Sequence, residues 1–263
     1  MPAGELRSFA PVEIIMMFLR QVGIDLVRYY NRLDLRVDEL IPDRPCLIVG
    51  NHGFGGVVDL NVFALLGTLD KLGGARPVTV LTHQLAWSLK VGPLLETVGS
   101  MPASAKSAED AFAAGHHVVV LPGGDVDAGK SFRHRNRVDF AGHTGFARLA
   151  MNAGVPIIPI VTAGAGETLF VLTSGRPLAR WLRLDKLFRY KVLPVSISIP
   201  WGLNVGLVGL LPYIPLPAQM QTVVMPSMAP LEGEDPAAFA ARVEAAMQST
   251  LSELAARRRP FIG

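Results

Sequence analysis

A regular alternation of short apolar runs with helical segments constrains the fold of this chain more than any other feature. Residues 46–50, 78–81, 118–121 and 156–161 are apolar runs of strand length, and segments with helical patterns separate them. A chain that alternates strand and helix in this way builds a sheet covered by helices. We therefore predict an α/β fold with a central mixed, largely parallel sheet flanked by helices.

Two of the connecting segments carry recognisable helix ends. One helix is predicted to open at Ser107, with Asp110 three residues later, and to close at Gly115. Another has an apolar face within residues 146–153 and stops at Gly154. These helices provide covering layers for the predicted sheet.

Length and composition favour one large α/β domain. Half of the 263 residues are apolar, which is enough to build a sizeable core. We predict an N-terminal amphipathic helical segment over residues 1–45, the α/β domain over 46–231, and a C-terminal helix with a basic tail over 232–263. The formal net charge of +3 is too small to indicate a nucleic-acid partner, but it is compatible with an anionic membrane surface.

The single cysteine, Cys46, lies inside a predicted strand. One thiol excludes an internal disulfide and a thiolate-rich zinc site, and we predict no metal site. A small core residue is the preferred interpretation, and this cysteine usage is typical of a reducing compartment. No secretory signal is predicted, because charged residues interrupt the first apolar stretch, residues 9–30. The expected location is cytoplasmic.

That first apolar stretch has the periodicity of an amphipathic helix. Its apolar positions at helical spacing are Ile14, Ile15, Phe18, Leu19, Val22 and Leu26. Such a helix either packs on the domain or lies at a bilayer interface. Packing on the domain is the favoured interpretation.

Residues 192–231 contain no Asp, Glu, Lys or Arg. Prolines in this stretch argue against a membrane-spanning helix, because each removes a backbone donor and breaks the helix inside a bilayer. The preceding segment, residues 175–191, carries six cations against one acid, together with Trp181 and Phe188. This pattern predicts an apolar membrane-facing region and peripheral membrane association. The alternative is a solvated basic helix followed by buried strands such as residues 195–199.

The sequence NHGFGGVVD, residues 51–59, directly follows the first buried run. It places His52 at the carboxyl end of a predicted strand, where open α/β sheets bind ligands, and Asp59 at the start of a helix. A neutral imidazole oriented by a carboxylate is a good general base for a hydroxyl proton. The glycines between them permit a turn that brings the two side chains together. The alternative makes Asp59 a plain helix N-cap and His52 a polar residue at a strand end.

A second motif, from Gly124 to Ser131, has the spacing of a nucleotide-binding phosphate loop. Asp125 and Asp127 would place negative charge where phosphates must bind. The residues that follow alternate with period two, whereas a phosphate loop requires a helix there. A P-loop nucleoside triphosphatase is therefore kept as an alternative function.

Taken in order, the motifs of this chain resemble those of the glycerolipid acyltransferase superfamily, especially its branch similar to monoacylglycerol and diacylglycerol acyltransferases. The turn at His52 is similar to the first block of that family, residues 98–124 to its second and third blocks, and residues 130–167 to the stretch that ends in the fourth block. The resemblance implies transfer of an acyl group from an acyl-CoA co-substrate, without a cofactor. The acceptor would be the hydroxyl of a glycerolipid, a lysolipid or another lipid alcohol.

The resemblance also implies roles for particular residues. His52 would act as the general base, and Asp59 would orient it. Backbone amides of glycines would stabilise the oxyanion or bind the acceptor, and basic side chains would hold a substrate phosphate or the CoA end of the donor. The glycines are Gly55, Gly56, Gly123 and Gly124, and the basic residues are Lys130, Arg133 and Arg135.

The chain departs from the family pattern at three points. Six residues separate His52 from Asp59 instead of four, and Gly123 replaces a glutamate of the third block. The second block lacks the arginine that phosphatidic-acid-forming members use for the acceptor phosphate. These departures favour a neutral acceptor, such as a mono- or diacylglycerol or another long-chain alcohol. They also leave open a non-catalytic lipid-binding protein on the same scaffold.

Overall fold

The computed structural model describes residues 11–53, 59–74, 76–82, 87, 92–183, 192–206 and 213–260. The helices are α1 (Pro11–Asp25), continued by a π-helical turn (Leu26–Tyr30), α2 (Leu60–Leu72), α3 (Gly92–Glu96), α4 (Ala105–Ala113), α5 (Gly124–Ala128), α6 (Gly145–Ala153), α7 (Arg176–Trp181) and α8 (Pro236–Arg257). The strands are β1 (Asp34–Val37), β2 (Leu47–Gly50), β3 (Val78–Thr82), β4 (Ser100–Pro102), β5 (His117–Val120), β6 (Ile157–Ala163), β7 (Phe170–Thr173), β8 (Val195–Ser198), β9 (Gly202–Val205) and β10 (Gln221–Val224). Short 3-10 helices cover Phe132–His134 and Ala165–Glu167. The four apolar runs predicted as strands correspond to β2, β3, β5 and β6.

A seven-stranded sheet organises the part of the chain that the structure describes. Its order is β1-β10-β6-β2-β5-β3-β4, and neighbouring strands are parallel except β10 and β6, which are antiparallel. Strand β2 lies at the centre, where Val49 pairs with Val120 on one side and with Pro159 on the other. The predicted α/β fold with a central mixed, largely parallel sheet is therefore confirmed.

Helices cover both faces of this sheet. Leu47 and Val49 belong to the apolar cluster shared with α4, α6 and α8, whereas Ile48 packs with Leu65 and Leu69 of α2. Successive residues of a strand point to opposite faces, so β2 is apolar at consecutive positions because both of its faces are buried. The covered sheet leaves its strand ends as the place where polar side chains can gather.

The predicted helix ends hold with one exception. Ser104, and not Ser107, caps α4, because its side-chain oxygen accepts from the Ser107 backbone N–H at 3.0 Å. Gly154 ends α6 in the left-handed conformation, as predicted. Asp235 caps α8 by accepting from two backbone N–H groups, and this helix lies within the C-terminal segment predicted to be helical.

The N-terminal segment contributes more than a helix. Strand β1 pairs in parallel with β10, with Asp34 opposite Gln221, so the sheet takes an edge strand from a segment predicted to be helical. Cooperative pairing at the sheet edge overrides the weak local pattern of these four residues. The division of the chain at residues 45 and 231 stays a prediction.

The favoured packing role of α1 is wrong for most of its length. Five of the side chains expected to pack are 47 to 65% exposed: Ile14, Ile15, Phe18, Leu19 and Val22. The helix instead contacts α2 through its last turn, where Gly23 and Ile24 are buried. A Cβ at Gly23 would lie 2.3 Å from the Phe63 ring, so glycine permits this close approach.

A separate three-stranded antiparallel sheet, β7-β8-β9, begins after β6 and takes up part of the uncharged segment. Residues 195–198 do form a strand, but its polarity is inverted: Ser196 and Ser198 are buried, whereas Ile197 is 47% exposed. Ile197 pairs with Phe170 on one side and Leu203 on the other, and both partners are exposed. The sheet therefore turns an apolar row outward.

Within the described ranges, no helix combines the length and the apolarity required to cross a bilayer.

Candidate active site

The site begins where β2 ends and the chain turns away from the carboxyl edge of the sheet. Asn51 ties this turn to β6, because its side chain donates to the Thr162 carbonyl at 3.1 Å and accepts from the Thr162 N–H at 2.9 Å. The Asn51 carbonyl in turn accepts from the Asn61 side chain at 2.7 Å. The polar turn thus has fixed partners on both the neighbouring strand and α2.

His52 and Asp59 meet across the turn. Nδ1 of His52 lies 2.5 Å from Oδ2 of Asp59, and the two side chains are 17% and 7% exposed. The other carboxylate oxygen, Oδ1, accepts from the Asn61 backbone N–H at 2.9 Å and so caps α2. The two interpretations of Asp59 are therefore compatible, since one oxygen caps the helix and the other contacts the imidazole.

The turn between the two residues is only partly described. Gly55 and Gly56 lie outside the described residues, so their predicted role in binding the oxyanion or the acceptor stays a prediction. Gly53 is described, and a Cβ there would lie 2.4 Å from Cβ of Ala165. Glycine at position 53 therefore allows the backbone after His52 to pack closely against Ala165, in the segment that follows β6.

Tyr213 lies beside the pair. Burial raises the pKa of its phenol, the negative charge of Asp59 raises it further, and a hydrogen bond with the Thr168 side chain opposes both effects. The phenol of Tyr213 therefore keeps its proton.

Gly123 and Gly124 form a tight turn at the start of α5. A Cβ at Gly123 would lie 2.2 Å from Cβ of Asp127 and 2.5 Å from the Asp139 carbonyl oxygen. No larger residue fits there on this backbone, so glycine is required at the position where the family pattern has a glutamate. Gly124 has a φ of +52°, a conformation that favours glycine. Their proposed contact with the oxyanion stays a prediction.

The surroundings of Lys130 do not favour its predicted role in binding a substrate phosphate or CoA. Its Nζ donates to Oδ1 of Asp127 at 2.7 Å, to the His52 carbonyl at 2.7 Å and to the Arg137 carbonyl at 2.8 Å. An ammonium group has three donors, and all three are directed at protein acceptors. The side chain is also only 6% exposed, so Lys130 belongs to the framework of the site.

The same segment does not form a phosphate loop. A phosphate loop directs backbone N–H groups and its lysine at the bound nucleotide. Here the residues form α5, the Gly129 N–H donates to the Asp125 carbonyl at 2.8 Å, and Lys130 is neutralised by Asp127. The nucleoside triphosphatase alternative therefore has no structural support at this motif.

A 3-10 helix over Phe132–His134 replaces the period-two alternation expected after the Gly124–Ser131 motif. The Arg135 guanidinium lies 4.2 Å from the Phe132 ring centroid and 3.5 Å from a carboxylate oxygen of Glu167. These contacts engage part of the guanidinium, and the predicted role of Arg135 in binding phosphate or CoA stays a prediction. Arg133 is exposed, and its role stays a prediction.

Three residues that hold the site received no role in the sequence analysis. Asn51 directly precedes His52, and Asn61 lies two positions after Asp59. Amide side chains beside a turn often bind nearby backbone groups, and this was the sequence signal for their role. Asp127 was considered only as an obstacle to phosphate binding. Its position three residues before Lys130 was the usable signal, because a helical turn brings such residues together.

Comparison with known proteins identifies the family. The acyltransferase family pattern matches residues 32–163, half of the chain. An uncharacterized protein of Mycobacterium tuberculosis is 28% identical over 254 residues, which cover 90% of this chain and 67% of the relative. The human protein named "DGAT1/2-independent enzyme synthesizing storage lipids" is 29% identical over 178 residues, 67% of this chain and 53% of that protein. This chain therefore spans about half the length of the human relative.

A solved structure agrees at the level of the fold. The crystal structure of the 1-acyl-sn-glycerophosphate acyltransferase PlsC from Thermotoga maritima has a TM-score of 0.53 and 16% sequence identity, and it covers 94% of this chain and 82% of that chain. The motif order, the family match and the shared fold lead to one conclusion: this chain belongs to the acyltransferase family.

Proposed function

We propose that this protein is an acyl-CoA-dependent O-acyltransferase that acylates a lipid alcohol, with His52 as the general base. The observation that carries the proposal is the 2.5 Å contact between Nδ1 of His52 and Oδ2 of Asp59, together with the partial exposure of the imidazole. A carboxylate at Nδ1 keeps the proton on that nitrogen, which leaves Nε2 able to accept one.

The proposed reaction needs no acyl-enzyme. Nε2 of His52 takes the proton of the acceptor hydroxyl while the oxygen attacks the thioester carbonyl carbon. The carbon–sulfur bond then breaks, and the imidazolium returns the proton to the departing thiolate. Asp59 stabilises the imidazolium between these steps, and its second oxygen stays bound to the Asn61 N–H throughout.

The acceptor that we propose is neutral, such as a mono- or diacylglycerol or another long-chain alcohol. Lys130 is surrounded by protein acceptors, and Arg135 contacts Phe132 and Glu167. These two predicted phosphate ligands are therefore engaged within the protein, which supports an acceptor without a phosphate.

The anionic end of acyl-CoA has a different candidate site. A cavity of about 130 Å³ is lined by Arg137, Arg176, Asp139 and His134, together with Ser131, Ser174 and Lys130, whose ammonium donors are directed at protein acceptors. Both arginines lie near Oδ2 of Asp139, at 3.9 and 3.6 Å, so two cations share one acid. The two arginines therefore carry one more positive charge than Asp139 neutralises, and this excess suits a phosphate-bearing donor.

Two exposed apolar surfaces support the proposal that the protein docks on a membrane from the cytoplasmic side. One is the N-terminal part of α1, and the other is the outward row of Phe170, Ile197 and Leu203. They are linked along the fold: the Tyr30 hydroxyl at the end of the π-helical turn donates to the Pro215 carbonyl, and the adjacent Ile214 pairs with Ile199. Apolar rows of this extent favour a lipid surface over water.

Release of free thiol tests the catalytic proposal. The purified protein should release CoA from an acyl-CoA only when a lipid alcohol is supplied, and His52→Ala should lower the rate by about 10² to 10⁴. Arg148→Ala, an exposed change on α6 outside the pair, serves as the control. Retention of lipid with no consumption of acyl-CoA would instead identify a lipid-binding protein. A rate unchanged in a folded His52→Ala protein would reject the assignment of the base.

A further inference from the structure

A buried ion pair beside His52 has no role in the reaction described above. Nζ of Lys130 lies 2.7 Å from Oδ1 of Asp127, and the two side chains are 6% and 0% exposed. Burying two charges is costly, and such a pair is weak evidence for a contribution to stability. The role of the Asp127–Lys130 pair therefore has to be inferred from the other groups that it contacts.

Both members of the pair bind the backbone of His52. The His52 N–H donates to Oδ2 of Asp127 at 2.7 Å, and the His52 carbonyl accepts from Nζ of Lys130 at 2.7 Å. The two peptide groups that flank the imidazole are thus held by one buried unit, which the Arg137 carbonyl also anchors. We call this unit the Asp127–Lys130 clamp.

We propose that the Asp127–Lys130 clamp positions His52 for catalysis. His52 lies outside any strand or helix, so no ladder of backbone hydrogen bonds fixes its peptide groups. The clamp supplies those missing partners, and the Asn61 side chain donates to the carbonyl of the preceding residue, Asn51. A rotation of the His52 backbone would move the imidazole away from Asp59, and small displacements of a catalytic group lower rates strongly.

This inference rests on the proposed function, and its test separates the two. We would compare the wild type with Asp127→Asn/Lys130→Met, which removes both charges together and so leaves no unpaired buried ion. The methionine cannot donate to the His52 carbonyl. We expect kcat to fall by about 10- to 100-fold, because the clamp holds the His52 backbone. The KM for both substrates should change less than about twofold, because Lys130 lines the cavity proposed for the donor but directs all three of its donors at protein acceptors.

Proton NMR gives a readout that does not require turnover. The proton between Nδ1 of His52 and Asp59 should produce a strongly downfield resonance in the wild type, and the double variant should shift or lose it. If the wild type shows this resonance but no acyl transfer, the proposed function fails. The clamp is still tested in that case, because the resonance can be compared between the wild type and the double variant.

Glu167→Gln/Arg258→Met is the matched control. That pair is equally buried, at 2% and 1% exposed, with 3.0 Å between its charged groups. It should lower the melting temperature comparably, yet keep kcat and the downfield resonance. A folded clamp variant with wild-type kcat and resonance would overturn the proposal and leave the pair a purely structural role.

A milder variant covers the case in which the double variant does not fold. Asp127→Asn leaves Lys130 with two carbonyl acceptors and is expected to lower kcat about tenfold and to shift the resonance. If folded Asp127→Asn matches the wild type in both measurements, the proposal is equally rejected.

Discussion

The two carboxylate oxygens of Asp59 serve different partners, and this division explains how one residue meets two demands. Oδ1 caps α2 through the Asn61 N–H, and Oδ2 contacts Nδ1 of His52. The cap anchors the Asp59 carboxylate to the start of α2. The carboxylate that orients the imidazole is therefore held in place by the helix and cannot rotate freely. Lys130 and Asn61 are likewise held by hydrogen bonds within the protein. Arg137 and Arg176, which line the neighbouring cavity, are instead 63% and 47% exposed.

At this scale, the donor cavity makes a direct prediction. Arg137→Ala/Arg176→Ala should raise KM for acyl-CoA about tenfold, because two partly exposed charges contribute roughly 1.4 kcal/mol together. The kcat should change little, since neither arginine belongs to the His52 pair. Steady-state kinetics with acyl-CoA and with an acyl-pantetheine thioester, which lacks the nucleotide phosphates, measures the difference.

Arg148→Ala, an exposed change on α6, is the control for the donor prediction. It should leave both KM values unchanged. An equal rise of KM for acyl-CoA and acyl-pantetheine in the double variant would show that the cavity does not read the anionic end of the donor.

At the scale of secondary-structure elements, the polarity of β8 is the most informative departure from a soluble pattern. A strand with one buried face normally turns its apolar side inward. Here Ser196 and Ser198 are buried while Ile197 faces outward between Phe170 and Leu203. Helix α1 behaves in the same way, because its apolar residues are exposed and only its last turn packs.

The outward row predicts a measurable membrane affinity. Ile197→Thr/Leu203→Gln should weaken binding to vesicles of phosphatidylcholine and phosphatidylglycerol by about tenfold or more, because each lost side chain removes apolar area from the contact. Both residues are exposed, so the melting temperature should change little. Sedimentation with vesicles measures the partition.

Leu40→Gln/Leu231→Gln is the matched control for the vesicle experiment. Both leucines are well exposed, at 72% and 62%, but they belong to neither apolar surface. Vesicle binding that falls equally in the two double variants would indicate a general loss of surface apolarity and would contradict docking through the outward row.

At the scale of the whole molecule, the end of the sheet opposite the site is held by a buried polar contact. Sγ of Cys46 lies 2.9 Å from Nδ1 of His117. Burial raises the pKa of the Cys46 thiol to about 12, so the sulfur keeps its proton and can donate to a neutral imidazole. Burial lowers the pKa of His117, the Arg76 charge lowers it further, and Asp43 opposes this.

This histidine predicts acid sensitivity of the fold. Because the folded pKa of His117 is depressed, the unfolded chain binds the proton more readily below an ordinary histidine pKa of about 6.5. The free energy of unfolding should therefore fall as the pH drops through that value. Denaturant unfolding of the wild type and of His117→Asn at a series of pH values tests this. The slope of the free energy of unfolding against pH should be the same for both proteins above about pH 7.5 and should be steeper for the wild type below about pH 6.5. Parallel slopes at all pH values would contradict it.

Most of the sheet and the position of the site could be predicted from the sequence. Strands β2, β5 and β6 are almost entirely apolar, because burial on both faces leaves few polar positions, and the half-buried β3 is apolar at three of its five residues. His52 and Asp59 were identified from a turn at the end of a strand. The edge strand β1 and the small antiparallel sheet were not, because their pairing depends on distant residues.

What the sequence determined by itself is the order of the motifs, the parallel core and the general location of the His52 turn. Only the tertiary structure decided which charged side chains are engaged within the protein and which stay exposed beside the cavity. Lys130 and Arg135 have the same charge as Arg137 and Arg176, but the first two are 6% and 20% exposed and the last two are 63% and 47% exposed. The outcome depends on contacts between residues far apart in the chain, such as His52 with Asp127, and no local pattern encodes such contacts.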